Sequence, residues 1–330
     1  MKRLPLVWVS VLALALAFPP TVQAKVTIKL ASQVAENTPW GNLLNRMASE
    51  WSLATKGEVE LRIYHGAQTD ERSMLRQLNQ NQIQAAMLST FGLKLIVPEI
   101  MTLSCPFLIR NNQELNLVLG ALKPDLEAQI SSKGYYTLAW SQIGWVRFFS
   151  RRPVFVPADL KAQKLGTSDT EPELADVFKA LGYQITPVAT SQILVNLTGG
   201  QIDAVYASPV IAGGLQIFAL AGNMASIKVA PFMGAIIMNQ RAWRSIPEQY
   251  KPELIRIARA VEAELDTRVQ ALEDEVVGTM TGYGLRINQV SPAQEQLWYN
   301  DVGRVLPGFM GTLFDRSTYS RIETLLRPYR

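Results

Sequence analysis

The chain has 330 residues, 48% apolar and 18% charged, with a formal charge of +4, enough to bury one large core or two ordinary ones. No Lys/Arg cluster or basic–aromatic stripe marks a nucleic-acid groove, and the Arg151-Arg152 doublet reads as a solvated strand end. The lone Cys105 excludes an intrachain disulfide.

Residues 1–24 read as a signal peptide. Lys2-Arg3 give a positive start, Leu4 to Phe18 is apolar, and Val22-Gln23-Ala24 puts small residues at a cleavage position. The apolar run, about 15 residues, is shorter than the ~20 that span a bilayer. The mature chain is therefore expected to start near Lys25 in a bacterial periplasm, and an uncleaved anchor is the competing reading. Cys105, within Leu103-Ser104-Cys105-Pro106-Phe107-Leu108, reads as a small buried hydrophobe.

Val26 to Ser32 alternates as a first strand. Pro39-Trp40 opens a helix expected to bury Leu43, Leu44, Met47, Trp51 and Leu53 on one broad face, with Gly57 as its stop. Val59, Leu61 and Ile63 alternate with Glu60, Arg62 and Tyr64 in a second strand. Asp70 begins a helix carrying Met74, Leu75 and Leu78, and a third strand covers 84–88. Tyr135 to Phe149 and Ile227 to Met238, the latter interrupted by Pro231, are extended stretches expected to carry the chain between two lobes.

From Phe155 to Pro209 the punctuation reads strand, helix, strand, helix, strand, which is a parallel α/β unit. Gly166-Thr167-Ser168 and Ala207-Ser208 are expected at strand ends, where ligands gather in such sheets. Pro252 starts a long helix, with Leu254, Ile257, Ala258, Val261, Leu265, Val269, Leu272 and Val276 at three- and four-residue steps. At ~45 Å it outruns one lobe. Glu262, Glu264, Arg268 and Glu273 lie on its charged side and are expected to face water or a partner. The fold class expected is α/β, a two-lobed periplasmic binding protein with this helix spanning both lobes.

Across the mature chain the sequence resembles the solute receptors of tripartite ATP-independent periplasmic (TRAP) transporters, of the DctP, dicarboxylate-binding type. The carriers are Tyr64-His65-Gly66-Ala67-Gln68 with Met74-Leu75, Val97-Pro98-Glu99 with Pro106-Phe107-Leu108, Pro157-Ala158-Asp159-Leu160-Lys161, Gly199 to Asp203, and Asn239 to Glu248. Each is weak singly, and their order and spacing make the whole specific. The resemblance implies lobe I at 25–144 plus about 235–274, lobe II at 145–234 plus about 275–330, and a ligand cleft between them. It also implies hand-over to TRAP permease membrane subunits, and in some relatives work with a periplasmic helical-repeat lipoprotein.

Family members usually hold an organic acid through an arginine after the Asp-Leu-Lys motif, since a guanidinium grips a carboxylate bidentately. That position here is Gly166. A second expected arginine falls on Val146, with Arg147 its neighbour on the opposite strand face. The usual Asn before the family's proline is Ser208, and a common aromatic reads Thr190. Without its counter-charge a buried carboxylate costs several kcal/mol. The expectation is therefore an atypical receptor lacking the carboxylate-binding arginine, with a neutral or largely apolar ligand. Gln33, Ser89 and Thr90 are its candidate polar contacts, Phe91, Trp145 and Tyr206 its candidate apolar walls. A lipid-like cargo carrier, a protein-interaction module, and an ordinary acid receptor using Arg147 are the competing readings.

Catalysis finds little support. His65 is the only histidine, no Gly-x-Ser-x-Gly elbow, Cys–His pair or metal spacing occurs, and no cofactor loop is present. Glu36 and Glu99 are carboxylates that could pair, but nothing in the sequence brings two together. No enzyme is expected.

Overall fold

A computed structural model describes residues 25–67, 70–169 and 171–330. The expected signal peptide, and Gln68 of the Tyr64–Gln68 motif, lie outside these residues. Ten strands form one continuous system: β1 Val26–Ala31, β2 Val59–Tyr64, β3 Ala85–Ser89, β4 Tyr135–Ser150, β5 Lys164–Ser168, β6 Gln184–Val188, β7 Ala204–Ala207, β8 Asn223–Ala225, β9 Ala230–Asn239 and β10 Arg286–Asn288. Their order is β2-β1-β3-β9-β4-β7-β5-β6, with β8 against β4 and β10.

The pairings reproduce two parallel α/β units. β1 runs parallel to β2 and β3, and β5 parallel to β6 and β7. β4 joins them: residues 135–146 pair antiparallel with β9 and residues 147–150 with β7. Pro231, expected to interrupt its strand, lies inside β9 opposite Trp145.

Local chemistry places the helices. Thr38 caps helix Pro39–Ala54 and Asp70 caps Glu71–Asn79. On the first, Leu43, Leu44, Met47 and Trp51 are buried as expected, whereas Leu53 is 77% exposed and stands off the apolar face. A helix Asn112–Ser132, with Pro124 inside it, covers one side of the sheet through Leu115, Val118, Leu122 and Leu126. Cys105 is fully buried, as are Met224, Met233 and Met238.

The long helix spans Lys251–Gly282, 32 residues, or about 48 Å. Leu254, Ile257, Val261 and Leu265 join one core, and Met280 joins another under β7 and β8. Two of its acids depart from the expectation that they face outward. Glu262 is 8% and Glu273 3% exposed, because β4 slips register between Thr137 and Ala139 and between Gln142 and Gly144. Glu262 Oε2 accepts from the Trp140 N–H at 3.0 Å and Glu273 Oε1 from the Trp145 N–H at 2.7 Å. Bulges free backbone donors, and a buried donor needs an acceptor. At the second slip Gly144 adopts φ +122°, and a Cβ there would sit 2.4 Å from Glu273 Oε1. Lys123 and Arg259 neutralise Glu262.

Candidate ligand-binding site

The residues that interact between the two parallel α/β units lie at the ends of β3 and β7 and at the starts of helices Glu71–Asn79 and Pro172–Ala180. From the unit of β1 to β3 come Ser89, which ends β3, and Glu71, which opens helix Glu71–Asn79. The Glu71 carboxylate accepts from the Ser89 N–H at 2.7 Å and hydroxyl at 2.8 Å. Gly92 is what allows the approach, since a Cβ there would lie 2.5 Å from Glu71 Oε2. From the unit of β5 to β7 come Tyr206 on β7 and Glu171, the residue before helix Pro172–Ala180. The Tyr206 hydroxyl donates to Glu171 Oε2 at 2.9 Å. Lys94 reaches across to Glu173 at 2.9 Å, with its ammonium 5.8 Å from the Phe91 ring centroid.

Bringing these carboxylates together alters their acidity. Burial pushes Glu171 up to about 7; the Tyr206 hydrogen bond opposes this, and the nearby charge of Glu71 adds to it. Glu71 is likewise raised by burial, against the Ser89 and Gly92 donors. Tyr206, buried beside Glu171, is held well above the usual phenol range.

Strand register decides which face each expected site residue occupies. Directly opposed residues of an antiparallel pair share a face and consecutive residues alternate. Tyr206 opposes Phe148, whereas Arg147 opposes Ala207, so Arg147 lies on the other face from Tyr206. Its Nη1 donates to the Ser226 carbonyl, and the acids acting on it are Glu273 and Asp274 of the long helix. Val146 keeps to the Phe148 side, packed on the same core as Tyr206. Gly166 is enclosed: a Cβ there would meet Ile202 Cδ1 at 2.8 Å and Val205 Cγ1 at 3.4 Å.

The remaining candidates are placed differently. Trp145 is fully buried, its indole N–H donating to Asn112 Oδ1 at 2.6 Å. Thr90 is buried, its hydroxyl shared with Ser104 at 2.9 Å. Ser208, also buried, caps helix Pro209–Gly214 through the Ile211 N–H. Phe91 is half-buried at the core edge. Gln33 and Thr190 are exposed, the first just past β1 and the second opening a short turn after β6. His65 bonds Asn45 Oδ1 at 2.8 Å. No group of three or more metal-ligating side chains occurs among the described residues.

Residues 30–311 match the model for bacterial extracellular solute-binding protein, family 7. The chain belongs to this family. Its members are solute-binding proteins, not enzymes. A solute-binding protein of Verminephrobacter eiseniae is 28% identical over 186 residues, 56% of this chain and 55% of that protein. The chain thus spans about half the length of the curated relatives it matches. Among solved structures, a TRAP periplasmic solute binding protein of Sulfurospirillum deleyianum with bound succinate aligns with a TM-score of 0.80. It is 22% identical and covers 92% of this chain and 99% of its own. Another from Ralstonia eutropha, with bound (S)-2-acetolactate, gives 0.83 at 17% identity, covering 92% and 99%. The chain therefore has the α/β fold of TRAP solute-binding proteins, and in it the long helix is Lys251–Gly282.

In this family-7 chain the sequence reading missed Glu71, Glu171, Glu173 and Lys94. It singled out Glu36 and Glu99, whereas the fold brings together two acids at the starts of the helices that follow β2 and β5, one in each parallel α/β unit. The signal was present in that shared position: Glu71 follows the Asp70 cap, and Glu171 precedes Pro172.

Proposed function

We propose that this family-7 protein is the extracytoplasmic receptor of a TRAP-type secondary transporter and takes a small ligand carrying no acid group, neutral or largely apolar. The lobes would be 25–144 with about 235–274, and 145–234 with about 275–330. Closure by hinge motion would present the loaded protein to membrane permease subunits. Ser89, Phe91, Val146 and Tyr206 are the proposed wall, with Gln33 at its rim.

The observation that carries this reading is the charge of the seam. The two positions where the resemblance expects arginines hold Val146 and the enclosed Gly166, and Arg147 is tied to Ser226 on the far face. Glu71 and Glu171 stand there instead; among the described residues Lys94 is already paired with Glu173, and Arg72, exposed, also acts on Glu173. A third carboxylate would be buried against two others without a guanidinium held in the cleft to grip it, at a cost of several kcal/mol. A neutral solute gains from apolar burial at about 25 cal/mol per Å², while the two acids accept hydrogen bonds from its hydroxyl or amide donors.

Calorimetry against paired solutes, each organic acid beside its amide or alcohol analogue, tests the assignment. Binding confined to the uncharged member is expected, with native mass spectrometry showing a retained small molecule. Tight binding of succinate-like acids, abolished by Arg147→Ala, would establish an ordinary acid receptor in its place.

A further inference from the structure

A concavity lined by none of the seam residues described above has a volume of about 520 Å³, inside the ~300–1,000 Å³ range of small-molecule sites. Three cationic side chains face it: Arg110, Lys228 and Arg330. Only one is neutralised. Arg330 forms a two-point pair with Glu114, Nη2 to Oε2 at 2.8 Å and Nε to Oε1 at 3.2 Å.

Arg110 gives its Nε to the Phe107 carbonyl at 3.2 Å and lays its guanidinium 3.8 Å from the Tyr299 ring centroid. Among the described residues its two Nη groups have no hydrogen-bond acceptor. Lys228 sits 4.9 Å from the Trp145 ring centroid; among the described residues it forms no ion pair, and Glu273 and Asp274 act on it only through their charge. Burial lowers the pKa of both, helped by the like charges of Arg330 on Arg110 and Arg147 on Lys228. The remaining acid on the wall, Glu295, accepts from the Tyr299 hydroxyl at 3.1 Å. Two partly desolvated cations facing one concavity, near acids (Glu114 and Glu295 for Arg110, Glu273 and Asp274 for Lys228) but with no direct ion pair among the described residues, gain by accepting an anion.

We propose that this cavity is an accessory anion site, in which Arg110 and Lys228 together hold a small phosphate or carboxylate. The guanidinium, held 3.8 Å from the Tyr299 ring centroid, presents its free Nη groups to the anion, and the lysine supplies a point charge. Lys228 precedes β9 and rests on Trp145 beside the Gly144 bend. Occupancy therefore ties the segment before helix Asn112–Ser132 to the strands that connect the lobes.

The test is calorimetric titration of the full mature chain with inorganic phosphate, and separately with citrate, at constant ionic strength. Saturable binding is expected, weakened at least about tenfold by Arg110→Gln and by Lys228→Gln, as loss of one charge-assisted hydrogen bond requires. Glu295→Gln should tighten it, a gain that misfolding cannot mimic, and Tyr206→Ala in the interlobe seam should leave it unchanged. Equal binding by wild type and all the cavity variants, or no saturable binding of either anion, would overturn the proposal. Loss of binding in Tyr206→Ala alone would assign the anion to the seam and refute both readings.

Discussion

Replacing Glu171 by glutamine removes a charge while keeping an oxygen to accept the Tyr206 hydroxyl, which makes it a clean probe of the interlobe seam. An ordinary glutamate titrates at 4.5 and Glu171 at about 7, a difference corresponding to about 3 kcal/mol. Part of the side chain meets water, and screening brings the readable effect to about 1–3 kcal/mol. The sign follows from the direction. A carboxyl raised in the folded state binds its proton more tightly there than when unfolded. The resulting stabilisation is complete below pH 4.5 and is lost as pH rises through about 7. Urea unfolding of wild type and Glu171→Gln at half-unit steps from pH 4.5 to 8.5 should give curves that diverge upward through neutrality, the variant becoming relatively more stable by about 1–3 kcal/mol. Glu273 remains in both proteins, whereas Glu71 is coupled to Glu171 through its charge, so the difference reads Glu171 together with that coupling. Parallel curves would refute the placement of Glu171 against Tyr206 and Glu71.

Three further outcomes follow from the same geometry. Gly166→Arg should destabilise by about 1–3 kcal/mol because its Cβ meets Ile202, with part recovered in Gly166→Arg/Ile202→Ala; a neutral effect in urea melts would show that the strand face is open. Lys94→Ala breaks the bridge to half-exposed Glu173 and should cost under about 1 kcal/mol of stability while raising the radius of gyration in X-ray scattering; an unchanged radius would mean the bridge does not hold the lobes. Glu262→Ala leaves Lys123, Arg259 and the Trp140 N–H without their shared acceptor and should cost about 2–4 kcal/mol, read from the urea midpoint.

Much of the fold was legible because it follows period and punctuation. The alternation of Val59, Leu61 and Ile63, the Asp70 cap and the strand–helix rhythm from Phe155 to Pro209 all reappear as elements. Glu262 and Glu273 were not legible as buried groups. Their burial depends on two register slips in β4, and a slip is a property of a strand pair that a single strand's residues do not encode. Helix Asn112–Ser132 is masked by Pro124, which normally argues against a helix interior. At the seam, the roles of Val146 and Arg147 turn on one residue of register, fixed only when β7 and β4 are paired. The Glu71–Glu171 approach joins helix starts 100 residues apart, and no local pattern reports it.

The position of β9 sets a constraint on how the molecule is assembled. It is the middle strand of its neighbourhood, inserted between β3 and β4, yet it is synthesised about 80 residues after β4 ends. Until residue 239 is available, the buried strands β3 and β4 have unfilled edges, which invite pairing with other chains. Nascent chains truncated between Ser150 and Ala230 would therefore be sticky intermediates, and the unit of β1 to β3 can complete its sheet only after the unit of β5 to β7 has been made.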